Sequence, residues 1–310
     1  MRIVGSPRYR IDIGPHVFPT AKYETLYREL TAEATWEWIE PDFASWQELG
    51  LVHTDEYLHK ARTRSFSAEE IAQLELPCTT EVIEGFRLMT GGTIAAARLA
   101  HETGLGLHVG GGFHHAFANH GEGFCVFNDV AVAIRILQSE SKIERVAIID
   151  LDVHHGNGTS MIFERDASVF TFSMHQQHNY PMFKPRSSLD IGLADRTGDS
   201  EYHAALREAL PRVFAFGPDM VVYLAGADPF EDDQLGGLML TRAGLVERDR
   251  IVFDACRVAG LPVVVTLAGG YARRLEDTVA IHRATLELAA LTLGAQSGAL
   301  GDPARGPKPV

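Results

Sequence analysis

The sequence predicts an α/β fold built on a central, mostly parallel sheet, and three observations carry that expectation. Five short runs along the chain are continuous in apolar residues, as strands buried on both faces are. Segments with helical periodicity separate them. Each run also leads into a polar or glycine-rich cluster, the arrangement of a ligand site at the carboxyl edge of an open α/β sheet.

The elements follow in chain order. Helical spacing over Gly92 to Glu102 leads into the run Leu105 to Val109, and Gly110-Gly111-Gly112-Phe113-His114-His115 comes next. A helix over Asn128 to Ser139 precedes Val146 to Ile149, which ends in Asp150-Leu151-Asp152-Val153-His154-His155-Gly156-Asn157-Gly158. The run Val169 to Phe172 ends in Ser173-Met174-His175. A helix over Glu201 to Phe216, which Pro211 should kink or split, precedes Met220 to Leu224 and Gly226-Ala227-Asp228. A helix over Thr241 to Val258 precedes Val263 to Leu267 and Gly269-Gly270-Tyr271. The expected organisation is one domain over residues 1–294, without repeat or linker, followed by an aperiodic Gly- and Pro-rich tail over 295–310.

Composition narrows the function classes. With 310 residues, 45% apolar and 22% charged, the chain can bury a large core. A net charge of -13 argues against a nucleic-acid partner, which normally meets a basic face, and is compatible with cationic peptides. Cys78, Cys125 and Cys256 are scattered without CxxC pairing, so neither a disulfide framework nor a thiolate zinc finger is indicated. No apolar run reaches the roughly 18 residues of a membrane helix, and the amino terminus has no apolar signal region. The expectation is a cytoplasmic protein with no membrane partner.

The polar clusters supply the chemistry. Alternate side chains of a strand share a face, so Asp150, Asp152 and His154 can converge on one point. Asp152 and His154 offer two metal ligands, and Asp228 at a neighbouring strand end completes a three-ligand set that leaves a position open for water. Taken alone, a strand-end Asp such as Asp228 serves equally as a helix cap or turn residue. Two oxygens and one nitrogen suit zinc, and also iron(II) or cobalt. His114 and His115 can provide a general base and a general acid, since imidazole titrates near neutral pH. Tyr271 can present a phenol to a polarised carbonyl. His155 reads as a buried structural imidazole. An arginase-like site with two manganese ions would need a second carboxylate set, for which Asp232 and Asp233 are the candidates.

Together these motifs, with Gly121-Glu122-Gly123-Phe124-Cys125-Val126-Phe127-Asn128-Asp129, resemble the zinc-dependent histone deacetylase family of the arginase/deacetylase superfamily, from about His53 to Tyr271. Thr90-Gly91-Gly92-Thr93, Gly156-Asn157-Gly158 and Leu235-Gly236-Gly237-Leu238 look closest to its class IV branch, as in a bacterial lysine deacylase. The resemblance implies a single arginase-deacetylase domain with about eight mostly parallel strands, and hydrolysis of an N-acyl amide, typically acyl-lysine in a peptide or protein. It implies zinc on Asp152, His154 and Asp228, His115 as base and acid, His114 held by Asp150, and Tyr271 donating to the oxyanion. It further implies an inner potassium or sodium site at Asp150, Asp152, His154, Ser173 and Met174, and a second near Phe163, Asp166 and Val169. Gly123, Phe124, Tyr180 and Leu235 would line the acyl channel. Asn157 departs from the commoner Asp that accepts a hydrogen bond from His115, and a neutral amide should leave His115 with a lower pKa. The segment from Ala61 to Leu76 is a candidate pocket rim. Two alternatives are a small-molecule amidohydrolase acting on a substrate such as acetylpolyamine, and a non-catalytic metal-binding scaffold.

Overall fold

The computed structural model describes residues 1–294, so the expected tail lies outside the described residues. In chain order the elements are β1 (Arg2–Val4), α1 (Ala21–Thr31), β2 (Glu37–Ile39), α2 (Trp46–Leu49), α3 (Asp55–Thr63), α4 (Ala68–Leu74), α5 (Thr80–Thr103), β3 (Leu105–Leu107), α6 (Asp129–Ser139), β4 (Val146–Asp150), α7 (Asn157–Ile162), β5 (Val169–Gln176), β6 (Leu189–Leu193), α8 (Asp199–Ala215), β7 (Met220–Leu224), α9 (Arg242–Ala259), β8 (Val263–Thr266) and α10 (Leu275–Leu293).

Among the described residues the main sheet has six parallel strands in the order β3-β8-β7-β4-β5-β6. The expectation of about eight strands is met only when the edge is counted. Strands β1 and β2 form a parallel pair. A bridge between Val4 and His108, with the Val109 amide donating to the Val4 carbonyl at 2.8 Å, joins that pair to the end of β3.

Burial explains why the strand runs are continuously apolar. Along β4, Val146 and Ile148 enter one core, with α5 and α6, while Ala147 and Ile149 enter the other, with α1, α8, α9 and α10. A strand covered on both faces has no polar side to alternate with. Pro211 does not split α8, which runs unbroken to Ala215. Proline removes one donor, and near the end of a helix packed on the sheet that loss is tolerated.

One placement needs correcting. Asp152 and His154 do not sit on a strand: β4 ends at Asp150, and both follow in the bend before α7. They are brought together by local bonds. The His154 amide donates to Asp152 Oδ1 at 3.0 Å, and the Val153 amide to Asp228 Oδ1 at 2.9 Å.

Candidate active site

The site lies where β4, β7, β8 and the loop after β3 end. The glycine-rich turn after β3 is clamped by Asp129, the fully buried first residue of α6. Its carboxylate accepts from the Gly112 amide (2.9 Å), the Phe113 amide (2.8 Å) and the Thr93 hydroxyl (2.5 Å). Gly112 has φ +86°, and a Cβ there would stand 2.8 Å from Ala268 Cα, so glycine is required for the turn to pass β8. Asn128 caps α6 by accepting from the Ala131 amide and also donates to the Ala116 carbonyl, which holds the histidine loop down.

That loop delivers two imidazoles with ring centres 4.1 Å apart into different surroundings. His114 Nδ1 donates to Asp150 Oδ2 at 2.7 Å. Burial alone would lower its pKa, but the Asp150 and Asp152 carboxylates outweigh that and hold it at about 9. His115 Nδ1 donates to Asn157 Oδ1 at 2.7 Å. Burial, then the neighbouring His114 and His154, push His115 well below its ordinary range, and the bond to Asn157 opposes that shift. The two Nε2 atoms stand 3.1 Å apart.

Asp152, His154 and Asp228 form a donor set whose ligand atoms lie within 4.8 Å of one another. His154 Nδ1 is 3.0 Å from Asp152 Oδ1 and 3.4 Å from Asp228 Oδ2. Asp228 Oδ2 is buried and accepts no hydrogen bond, while the Gly269 amide donates to Asp152 Oδ2 at 2.8 Å. A Cβ on Gly269 would fall 2.0 Å from Asp228 Oδ2, so the backbone must be bare there. Burial and the Asp152 charge raise the Asp228 carboxyl to about 7, because two carboxylates this close in a dry site need a positive charge between them. An orphaned buried oxygen on Asp228, in a close pair of carboxylates beside an imidazole, fits a divalent cation.

Tyr271 follows Gly269-Gly270 and is fixed by Asp233, whose Oδ2 accepts from the Tyr271 amide at 2.7 Å. Burial, with the Asp152 and Asp228 charges, pushes its phenol well above the usual range, so it stays protonated as a donor. Asp233 Oδ1 also accepts from the Leu235 and Gly236 amides, and Asp232 pairs with Arg273. Neither belongs to a second metal set, which leaves the two-manganese arrangement without its carboxylates.

A cavity of about 160 Å³ brings Gly123, Phe124, Tyr180 and Leu235 together with His115, His154 and Tyr271, and adds Glu75 and Asn179. Phe124, at φ +65°, is held by Phe18 stacked at 6.0 Å and by His16 edge-on at 4.8 Å. The segment from Ala61 to Leu76 backs this wall: the Gln73 and Leu74 carbonyls accept from the Gly123 and Phe124 amides.

Asp150 pairs in register with Ser173, next to Met174, while the Ser173 hydroxyl contacts His175 Nδ1 at 3.0 Å. Phe163, Asp166 and Val169 form a turn in which the Asp166 carboxylate pairs with Arg135 at 2.6 Å. His155 is buried, with Nε2 at 3.2 Å from Asp190 Oδ1 and 3.3 Å from Ser187 Oγ.

Sequence reasoning missed several residues. Lys22, fully buried from α1, donates to the Ala268 carbonyl at 2.9 Å, lies 5.7 Å above the Tyr271 ring and is lowered to about 8 by burial. Asp129 and Asp233 are clamps for the two glycine turns. Glu122 was legible only as part of a motif, and its position behind Asn157 depends on the fold.

The fold and this constellation define an α/β protein of the arginase-deacetylase type with a buried metal-ligand set beside paired histidines. Residues 16–286 match the histone deacetylase domain, and the chain belongs to that family. It is 38% identical over 271 residues to an uncharacterized protein of Picosynechococcus sp., covering 86% of this chain and 90% of that one. It is 34% identical to histone deacetylase 2 of Arabidopsis thaliana, over 85% of this chain and 73% of the relative. Among solved structures, the HDA15 HD domain superposes with a TM-score of 0.76 at 26% identity, covering 96% of this chain and 92% of that one.

Proposed function

We propose that the chain is a zinc-dependent hydrolase of N-acyl-lysine amides in peptides or proteins, closest to the class IV branch of its family. The observation that carries this reading is a cavity lined by His115, His154 and Tyr271, behind which Asp152 and Asp228 complete a donor set with His154 and the oppositely polarised His114 meets His115. A non-catalytic metal scaffold has no use for His114, His115 or Tyr271.

Asp152, His154 and Asp228 would hold the zinc, and iron(II) or cobalt suits the same donors. Bound there, the metal supplies a Lewis acid that lowers the pKa of a water molecule and polarises the acyl carbonyl. His115, donating from Nδ1 to Asn157, carries its lone pair on Nε2, 3.1 Å from His114 Nε2, and would use it to take a proton from the attacking water and return it to the leaving amine. His114, charged against Asp150, offers Nε2–H beside that nitrogen and steadies developing negative charge. Tyr271 donates its phenol hydrogen to the carbonyl oxygen as that oxygen gains charge. The products are a carboxylate and a free amine. Gly123, Phe124, Tyr180 and Leu235 surround the acyl chain and lysine methylenes and exclude bulk water. Asp150, Asp152, His154, Ser173 and Met174, the last through its backbone carbonyl, would hold a potassium or sodium ion, and Phe163, Asp166 and Val169 a second.

One observation favours a small acylated amine as a second reading: Glu75 lines the cavity, and an acidic wall suits a cationic amine such as an acetylpolyamine. The test is a panel of peptides carrying acetyl- through myristoyl-lysine, with acetylpolyamines alongside. Zinc-loaded wild type is expected to hydrolyse acyl-lysine peptides, and Tyr271→Phe to lose about 10²–10³ in kcat. A preference for polyamines that Glu75→Gln abolishes would select the second reading. Turnover of nothing in the panel would sink both.

A further inference from the structure

We infer that Glu122 is a positioning residue for the hydrolysis proposed above, acting through Asn157 to fix which nitrogen of His115 carries the proton; the inference rests on that reading of the site. Asn157 Nδ2 donates to Glu122 Oε1 at 2.6 Å while its Oδ1 accepts from His115 Nδ1 at 2.7 Å. An amide has one accepting and one donating end, whereas an ionised carboxylate only accepts. Turning the Asn157 amide over would set its oxygen against a carboxylate oxygen at that short distance. Glu122 therefore sets Oδ1 toward His115, so that Nδ1 is the N–H and Nε2, 3.1 Å from His114 Nε2, carries the lone pair at the cavity.

The carboxylate is itself locked in place. Tyr180 OH donates to Oε1 at 3.0 Å and Gln73 Nε2 to Oε2 at 2.9 Å, with His120 Nε2 3.5 Å from Oε2. Burial would raise the Glu122 pKa, but these donors and Asn157 hold it below the usual carboxylate range. The local backbone does not depend on the side chain. Gly123 and Phe124 donate to the Gln73 and Leu74 carbonyls, and the Glu122 amide donates to Cys125. Loss of the Glu122 side chain thus leaves the loop its own anchors.

The arrangement is a two-link version of a carboxylate–imidazole pair, with the amide as the link. Its signature is a polarity swap. Asn157→Asp alone brings two carboxylates together at 2.6 Å, whereas Asn157→Asp with Glu122→Gln restores one donor and one acceptor with the direction reversed. Four metal-loaded proteins test this: wild type, Glu122→Leu, Asn157→Asp, and the Glu122→Gln/Asn157→Asp pair. With an acyl-lysine peptide, each single change is expected to lower kcat about tenfold or more with little change in KM. The double change is expected to return to within about threefold of wild type. Nitrogen NMR of histidine-labelled protein, with the His115 signals identified by their loss in His115→Phe, reads the tautomer without turnover. One tautomer in wild type and the double variant, and a mixture in Glu122→Leu, is the expected pattern. A double variant no better than Asn157→Asp, or one unmixed tautomer in Glu122→Leu, overturns the role of Glu122. A wild type with the expected NMR pattern that hydrolyses no acyl-lysine peptide refutes the substrate reading while upholding Glu122.

Discussion

His114 and His115 are neighbours in sequence and in space, yet the fold gives them opposite characters. His114 meets a carboxylate directly and is held near 9, while His115 meets an amide and is driven well below its ordinary range. Residue type is the same and burial is nearly the same, at 3% and 5% exposure, so the partners decide. One imidazole is kept as a charge and the other as a neutral ring with a lone pair on Nε2. That is the division of labour acid–base hydrolysis needs.

The comparison can be broken in four ways, from the largest expected effect to the smallest. His115→Ala removes the Nε2 lone pair, and kcat on an acyl-lysine peptide should fall by roughly 10²–10⁴. Asp150→Asn removes the nearer of the two carboxylates that hold the buried His114 charge, and denaturant melts should show a loss of up to about 3–5 kcal/mol. A third effect contrasts His114 with buried histidines that lack a carboxylate. Burial lowers His53 to about 4 and His108 to about 3. Their folded values lie below the unfolded value near 6.5, so their contribution is complete above pH 6.5 and is lost as pH falls toward 4. For His53 the part of that loss falling between pH 7.5 and pH 5 is on the order of 2 kcal/mol, His108 adds a similar amount, and denaturant midpoints at those two pH values measure the sum. Asn157→Ala removes both the acceptor of the His115 Nδ1–H and the link to Glu122, and kcat should drop about tenfold.

Much of the frame was legible because the physics is local. Five strands are buried on both faces and so read as unbroken apolar runs, and the polar residues that must sit at their ends stand out against them. The short edge pair β1 and β2 and strand β6 were not, since three-residue strands and the exposed pattern of Leu189–Leu193 carry little signal. In α10 hydrophobic residues occur around much of the helix, and no expectation was formed there. At the site, Asp152 and His154 were legible from their two-residue spacing, though a bend and not a strand brings them together. Residues acting across the fold were silent. Asp233 grips Tyr271 from 38 positions away, Lys22 reaches Ala268 across 246, and Glu122 reaches Asn157 across 35. A carboxylate that accepts backbone N–H groups, or orients another side chain, leaves no spacing rule in the sequence.

The central claim is that Asp152, His154 and Asp228 hold the metal on which hydrolysis depends. Following metal content and turnover of one acetyl-lysine peptide together, through chelation and zinc reloading, tests it most directly. The expected result is about one zinc per chain, activity lost in step with the metal and regained with it, and neither metal nor activity in Asp228→Asn. Undiminished turnover in metal-stripped protein, or full zinc and full activity in Asp228→Asn, would contradict it.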